Sequence, residues 1–396
     1  METHALRIAQ VAPLAEAVPP RLYGGTERVV SWLTEELVEL GHHVTLFASG
    51  DSLTSADLEA ATPVALRLAP DHRDPMLAYA VLLAKIAERA AEFDVVHCHV
   101  DWQHIPLLQS VKVPFLTTLH GRLDLPDLGR AIEYFEKAPF VSISDSQRDP
   151  LPLANWIGTV HHGMPERLFR PCYAPQGYLA FLGRITPEKG PDIAIRLARA
   201  AGVPLKIAAK IDDADADYFQ SCVKPLLDGD AGVEFIGEIG EGDKNDFLGN
   251  ARALLFPIDW PEPFGLVMIE AMACGTPVIA FRRGSVAEVL EQGVSGFIVE
   301  PADEQGALDA LRRLHSLDRR EVRAAFERRF TARRMAEDYL RIYASLRSSF
   351  SASPLWPGNS RPASNAALPS QPASSPCAYL EMQQLSGGPS LSGTNK

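Results

Sequence analysis

Two series of short apolar runs, each interrupted by stretches of helical periodicity, constrain this chain more than any other feature. The first series is RIAQVAPL at 7–14, HVTLFAS at 43–49, DVVHCHV at 94–100, PFLTTLH at 114–120 and FVSIS at 140–144. The second is YLAFLGR at 178–184, PLKIAAK at 204–210, VEFIGE at 233–238, ALLFPID at 253–259, PVIAF at 277–281 and GFIVE at 296–300. Runs this short and this apolar suit strands buried on both faces of a parallel sheet, with the intervening segments as crossover helices. The first crossover, TERVVSWLTEELVELG, has a cap candidate in Thr26 and a stop in Gly41. The series therefore predict two doubly wound α/β domains. Ligands of such sheets bind beyond the carboxyl ends of the strands, so the cleft between the domains is the expected site.

The boundaries follow from composition. Residues 1–165 form the first domain, 166–176 a proline-containing linker, 177–330 the second domain and 331–347 a helix with Met335, Tyr339, Ile342 and Leu346 on one face. From 348 to 396 the chain holds 12 Ser and 7 Pro and little to bury, which reads as a disordered tail. No run of about 18 apolar residues occurs, and the amino terminus lacks the basic flank and apolar core of a secretory signal, so a cytoplasmic protein without stable membrane insertion is expected. Five scattered cysteines, none spaced as C-x-x-C, write neither a disulfide framework nor a zinc ribbon. A formal charge of −12 argues against nucleic acid as a partner.

Three loops at predicted strand ends carry chemistry. In WPEPFGLVMIEAMACG, Glu262 and Pro263 read as a helix start, which would leave the amides of Phe264, Gly265 and Leu266 free for a phosphate. Glu270, eight residues on, would then return near Glu262 on the helix circumference. The same two acids also read as a helix cap and an exposed side chain. In GRITPEKG, Arg184 and Lys189 bring two cations to a strand's carboxyl edge, a pattern shared by diphosphate sites and solvated loops. In the first domain, Gly24 and Gly25 stand between strand and helix without forming G-x-G-x-x-G, and His120 ends a strand.

Taken together and in this order, Gly24-Gly25, His120, Arg184 with Lys189, and Glu262 with Glu270 followed by AMACG resemble glycosyltransferase family 4, the retaining enzymes of the GT-B fold. The resemblance spans about residues 6–346. It implies a nucleoside diphosphate sugar donor held mainly by the second domain and an acceptor, unidentified, held mainly by the first. It further implies that Arg184 and Lys189 bind the diphosphate, Glu262 the sugar hydroxyls and Glu270 the ribose, that His120 lies beside the sugar, and that Gly25 cradles the distal phosphate. Fixed cations and a helix end aimed at the leaving diphosphate would stabilise its growing charge with no cofactor and no metal. Two alternatives share this architecture: a nucleotide-sugar epimerase, and a nucleotide-sugar binding protein without turnover.

Two other motifs point elsewhere. HCHVDWQH supplies His97, His99, Asp101 and His104, with His97 and His99 on one strand face as metal ligands often are, yet strand histidines near a cleft commonly bond backbone or substrate. DDADADY fails as a calcium loop, since Tyr218 stands where glycine is needed. Its Asp213, Asp215 and Asp217 read as acids at a helix start.

Overall fold

The computed structural model describes residues 5–352 apart from 23, 70–73 and 229–231. The expected tail beyond 352 lies outside the described residues. Two all-parallel sheets organise the rest. The first contains β1 (Arg7–Val11), β2 (His43–Ser49), β3 (Asp57–Thr62), β4 (Val95–Cys98), β5 (Phe115–Thr118), β6 (Phe140–Ser142) and β7 (Trp156–Thr159), in the order β3-β2-β1-β4-β5-β6-β7. The second contains β8 (Tyr178–Arg184), β9 (Leu205–Lys210), β10 (Val233–Gly237), β11 (Ala251–Phe256), β12 (Val278–Phe281) and β13 (Gly296–Val299), in the order β10-β9-β8-β11-β12-β13.

Each sheet reverses direction of growth beside its first strand. β1 pairs with β2 on one side and β4 on the other, and β8 pairs with β9 and β11. This leaves a crevice at the carboxyl ends of β1 and β4 and another at those of β8 and β11. The central strands are apolar on both faces because helices cover both: Ile8, Ala9, Val11, Val95, Val96, Leu254 and Val278 are fully buried. All eleven apolar runs contain strands, but β3 and β7 add two more. Both lie at or near an edge, and their half-exposed sequences DLEAAT and WIGT carry little of the apolar signal of a central strand.

The first crossover helix, Gly25–Glu39, starts two residues earlier than Thr26 implied. Its cap is Gly24, whose φ of 148° and whose missing Cβ, which would sit 2.7 Å from Pro20, admit only glycine. The carboxyl-terminal helix, Ala332–Ala352, runs past 347 into the stretch that composition alone assigned to the tail. Phe350 there joins Leu346 over an apolar crevice lined by Leu108, Val113 and Phe115, so local packing overrides composition. Tyr339 and Tyr343 on this helix are buried against the first sheet.

The chain therefore crosses between the lobes twice, and the crossings lie side by side. Met164 N–H donates to Phe330 O at 2.9 Å and Ala332 N–H donates to Met164 O at 2.8 Å. The proline-containing linker is fastened to the second lobe: Arg323 donates to the carbonyls of Glu166, Phe169 and Ala273, and Arg319 to those of Cys172, Gly249 and Ala251.

Candidate active site

The second-lobe wall is built by the turns that follow β8 and β11. After β11 the loop Trp260–Gly265 precedes a helix, Leu266–Ala273, whose cap is Gly265 with φ of 79°. The helix therefore begins at Leu266, not at Glu262 and Pro263, because the left-handed Gly265 ends helical geometry there. Glu262 reaches the site from the loop, and the circumference argument linking it to Glu270 does not apply, although both acids line one cleft. The loop is pinned from behind. Ser285 N–H donates to Glu262 O at 3.0 Å and Ser285 Oγ to Phe264 O at 2.9 Å, while a Cβ at Gly284 would meet Glu262 O at 2.3 Å.

Charge is paired across these turns. Lys189, in the turn Pro187–Lys189, places Nζ 2.5 Å from Glu262 Oε2, and Trp260 Nε1 donates to the same oxygen at 3.1 Å. Gly190 closes that turn with φ of 69°, where a Cβ would strike Pro257 O at 2.4 Å. Glu270, 2% exposed, accepts from Lys244 Nζ at 2.6 Å through Oε1. Arg184 ends β8 with two long ion pairs among the described residues, 3.6 Å to Glu188 and 3.7 Å to Asp212.

The first lobe supplies the facing wall. Gly24 and Gly25 open the first helix at the cleft, and His120 follows β5. The His120 ring stacks on His162 at 5.2 Å, and His162 meets the edge of Phe264 at 4.8 Å. Burial depresses the His120 pKa to about 3 and that of His162 well below its ordinary value, so both rings are neutral at pH 7. Glu27 is also buried in this wall, and desolvation raises its pKa.

The walls enclose a cleft of about 440 Å³. Gly24, Gly25, His120, Arg184, Lys189, Glu262, Phe264, Gly265, Leu266 and Glu270 all line it, so the ten residues expected at a donor site are brought together, whereas His97, His99, Asp101, His104 and the acids at 213, 215 and 217 are not among its lining. Sequence reading missed Lys244, Trp260, His162, Glu27, Arg28, Arg67 and Lys210, which line it as well. Trp260 could have been found beside PEPFG, but Lys244 lies in the polar helix Glu241–Gly249, where nothing marks it. The lobes also touch directly: Arg28 pairs with Glu241, and the amides of Asp145 and Ser146 donate to the Glu288 carboxylate, both at 2.7 Å.

Buried polar atoms without partners are concentrated here. Of the nine such side-chain atoms among the described residues, four belong to cleft residues: Arg184 Nε, Glu270 Oε2, His120 Nδ1 and His162 Nδ1. Each costs about 1–3 kcal/mol unless something meets it, and a cleft wall is where a ligand can. His97, by contrast, is paired at both ring nitrogens, with Tyr343 at 2.7 Å and Thr118 at 2.8 Å, while His104, away from the cleft, bonds Thr117 at 2.7 Å through Nε2 and leaves its Nδ1 among the other five. Among the described residues no cluster of three or more His, Cys, Asp or Glu is set to hold a metal ion. Asp213 and Asp215 occupy a short 3-10 turn leading into a helix that includes Asp217.

Two parallel α/β lobes facing across a cation-bearing cleft, with the carboxyl-terminal helix returned to the first lobe, define the GT-B fold. Residues 23–143 match the model of Glycosyltransferase Family 4 and residues 173–331 that of Glycosyl transferases group 1. The chain belongs to this family-4 type of glycosyltransferase. It is 25% identical to an uncharacterized glycosyltransferase of Methanocaldococcus jannaschii, covering 74% of this chain and 85% of the relative. It is 27% identical to a glycogen synthase of Mycobacterium tuberculosis, covering 74% and 83%. Among solved structures it is similar to Anabaena HepE in complex with UDP and glucose, with a TM-score of 0.65, 17% identity, and coverage of 86% of this chain and 100% of that one. No helix among the described residues is long and apolar enough to cross a membrane.

Proposed function

We propose that the enzyme transfers a sugar from a nucleoside diphosphate sugar to an acceptor hydroxyl with retention of anomeric configuration. The observation that carries this reading is the set of unmet polar atoms in the cleft. Arg184 Nε is an unused donor for a phosphate oxygen, and Glu270 Oε2 an unused acceptor for ribose hydroxyls. The complex of HepE with UDP and glucose supports a nucleotide sugar as the class of donor.

In this reading Arg184, Lys189 and the first-turn amides of Leu266 and Val267 hold the diphosphate, and Gly25 lets its distal phosphate approach the first helix. Each of these groups is fixed before the reaction, so together they stabilise the charge that grows on the departing diphosphate. Glu262 orients the transferred sugar. Its engagement with Lys189 and Trp260 makes it a positioning carboxylate, not a free nucleophile. The acceptor then attacks from the face the diphosphate leaves and gives its proton to a phosphate oxygen, in contrast to the two-carboxylate route of retaining glycosidases. Closure of the lobes excludes water during this step.

The test is to incubate the enzyme with a panel of nucleotide sugars and acceptors and to follow products by proton NMR. A glycoside with the donor's anomeric configuration is expected. An inverted product would overturn retention, and donor isomerised without acceptor would favour an epimerase.

A further inference from the structure

Behind the cleft, a chain of hydrogen bonds runs from the carboxyl-terminal helix to His120. Gln10, near the carboxyl end of β1 and fully buried, donates through Nε2 to Tyr343 OH at 3.2 Å. Its carbonyl Oε1 lies 2.8 Å from His99 Nε2, and His99 Nδ1 lies 2.8 Å from His120 Nε2. Tyr343 OH is also 2.7 Å from His97 Nδ1, which gives its hydroxyl proton an acceptor while its oxygen receives the Gln10 amide. His99 is 4% exposed, and burial holds it neutral, so it carries a single ring proton.

With the Gln10 carbonyl facing His99 and its NH2 facing Tyr343, these contacts set a direction. An amide carbonyl only accepts, so the His99 proton sits on Nε2 and its Nδ1 is bare. A bare Nδ1 must receive a proton from His120, which places the His120 proton on Nε2. His120 Nδ1 is then also bare, and it is the buried atom without a partner in a residue that lines the cleft. We propose that Gln10 and His99 are positioning residues that set the tautomer of His120, so that its Nδ1 is kept as an acceptor for a hydroxyl of the bound sugar. This rests on the nucleotide-sugar reading of the cleft, and it assigns a role to residues that never touch the ligand. It also explains why a glutamine and several histidines occupy the interior of an otherwise apolar parallel sheet, where unpaired polar groups are costly.

The tautomer can be read without any ligand. In nitrogen-15 spectra of histidine-labelled enzyme, His120 is expected to show a protonated Nε2 and an unprotonated Nδ1, assigned by its loss in His120→Asn. A protonated Nδ1 would overturn the proposal. Two variants then separate polarity from packing. His99→Asn puts a carbonyl near the position of Nδ1 and keeps an acceptor for His120, whereas His99→Phe fills the space but accepts nothing. With a nucleotide sugar donor, kcat/KM is expected to be about tenfold higher for His99→Asn than for His99→Phe, the worth of roughly one hydrogen bond. Affinity for the nucleoside diphosphate alone, held by the other lobe, is expected to be the same in both. The reverse order of activity would show that His99 acts through packing. Should His99→Phe not fold, Gln10→Leu makes the same comparison against wild type, with mixed His120 tautomers expected and a single unchanged tautomer contradicting the proposal. Failure of the wild type to bind any nucleotide sugar would overturn the reading of the cleft, and the spectrum would still decide the tautomer.

Discussion

Lys189 Nζ stands 2.5 Å from Glu262 Oε2 and 4.7 Å above the Trp260 ring, so a cation from the turn after β8 and an acid from the loop after β11 form one ionic unit in the cleft. Both side chains are mostly withdrawn from water, at 17% and 10% exposure. Removing either leaves the other charge poorly compensated.

Lys189→Ala is therefore expected to lower kcat/KM by on the order of 10²–10³-fold, through loss of a diphosphate contact and release of Glu262. Glu262→Gln should lower kcat more than it raises donor KM, since Glu262 orients the sugar near the breaking bond. In the double variant the losses should not add, because the two residues act as a pair. Additive losses in steady-state kinetics would show that they act independently.

The second pair differs. Glu270 is 2% exposed and Lys244 is its ionic partner at 2.6 Å. Lys244→Met leaves a buried carboxylate alone and is expected to destabilise the protein by roughly 3 kcal/mol, measured by chemical denaturation. Glu270→Gln, which keeps shape and removes charge, should lose less stability than Lys244→Met. Equal destabilisation by the two would argue against an unpaired buried charge as the cause.

Acid should destabilise the fold ahead of the usual carboxylate range. Burial lowers the pKa of His104 and His120 to about 3, and those of His97, His99 and His162 well below 6.5. An unfolded chain would protonate these rings near 6.5. The unfolded state thus binds more protons between about pH 6.5 and 3, so stability is complete above that window and falls with pH inside it. The slope approaches about 1.4 kcal/mol per pH unit for each ring. His104 bonds Thr117 away from the cleft, and His104→Gln is expected to flatten the dependence by about one ring's share. A melting temperature unchanged from pH 7 to 5 would contradict this.

Turnover should persist in EDTA, because Arg184, Lys189 and a helix end are proposed to neutralise the diphosphate. Activity lost to chelation and restored by manganese or magnesium would count against that assignment.

Much of this could be read from the chain. Buried strands such as VIAF announce themselves because both faces are apolar, whereas DLEAAT and WIGT are half-exposed and do not. The ten cleft-lining residues were legible because they lie in the segments that follow strands, where α/β folds place ligands. The helix start at Glu262 was misplaced because proline and acid mimic a first turn, and the positive φ of Gly265 that ends it depends on tertiary packing. Lys244 and the Gln10–His99–His120 chain were illegible for a related reason. Their partners lie 26, 89 and 21 residues away, and only the sheet brings them together.

The most direct test of the cleft assignment is calorimetric titration of nucleoside diphosphates and their 2′-deoxyribose analogues into wild type and Glu270→Gln. If Glu270 receives the ribose hydroxyls, wild type should bind the ribose form about 10- to 100-fold more tightly than the deoxy form, the worth of hydrogen bonds to a charged group. The variant should discriminate far less. Equal discrimination by both proteins would place the ribose elsewhere, and no binding of any nucleoside diphosphate by wild type would contradict the account as a whole.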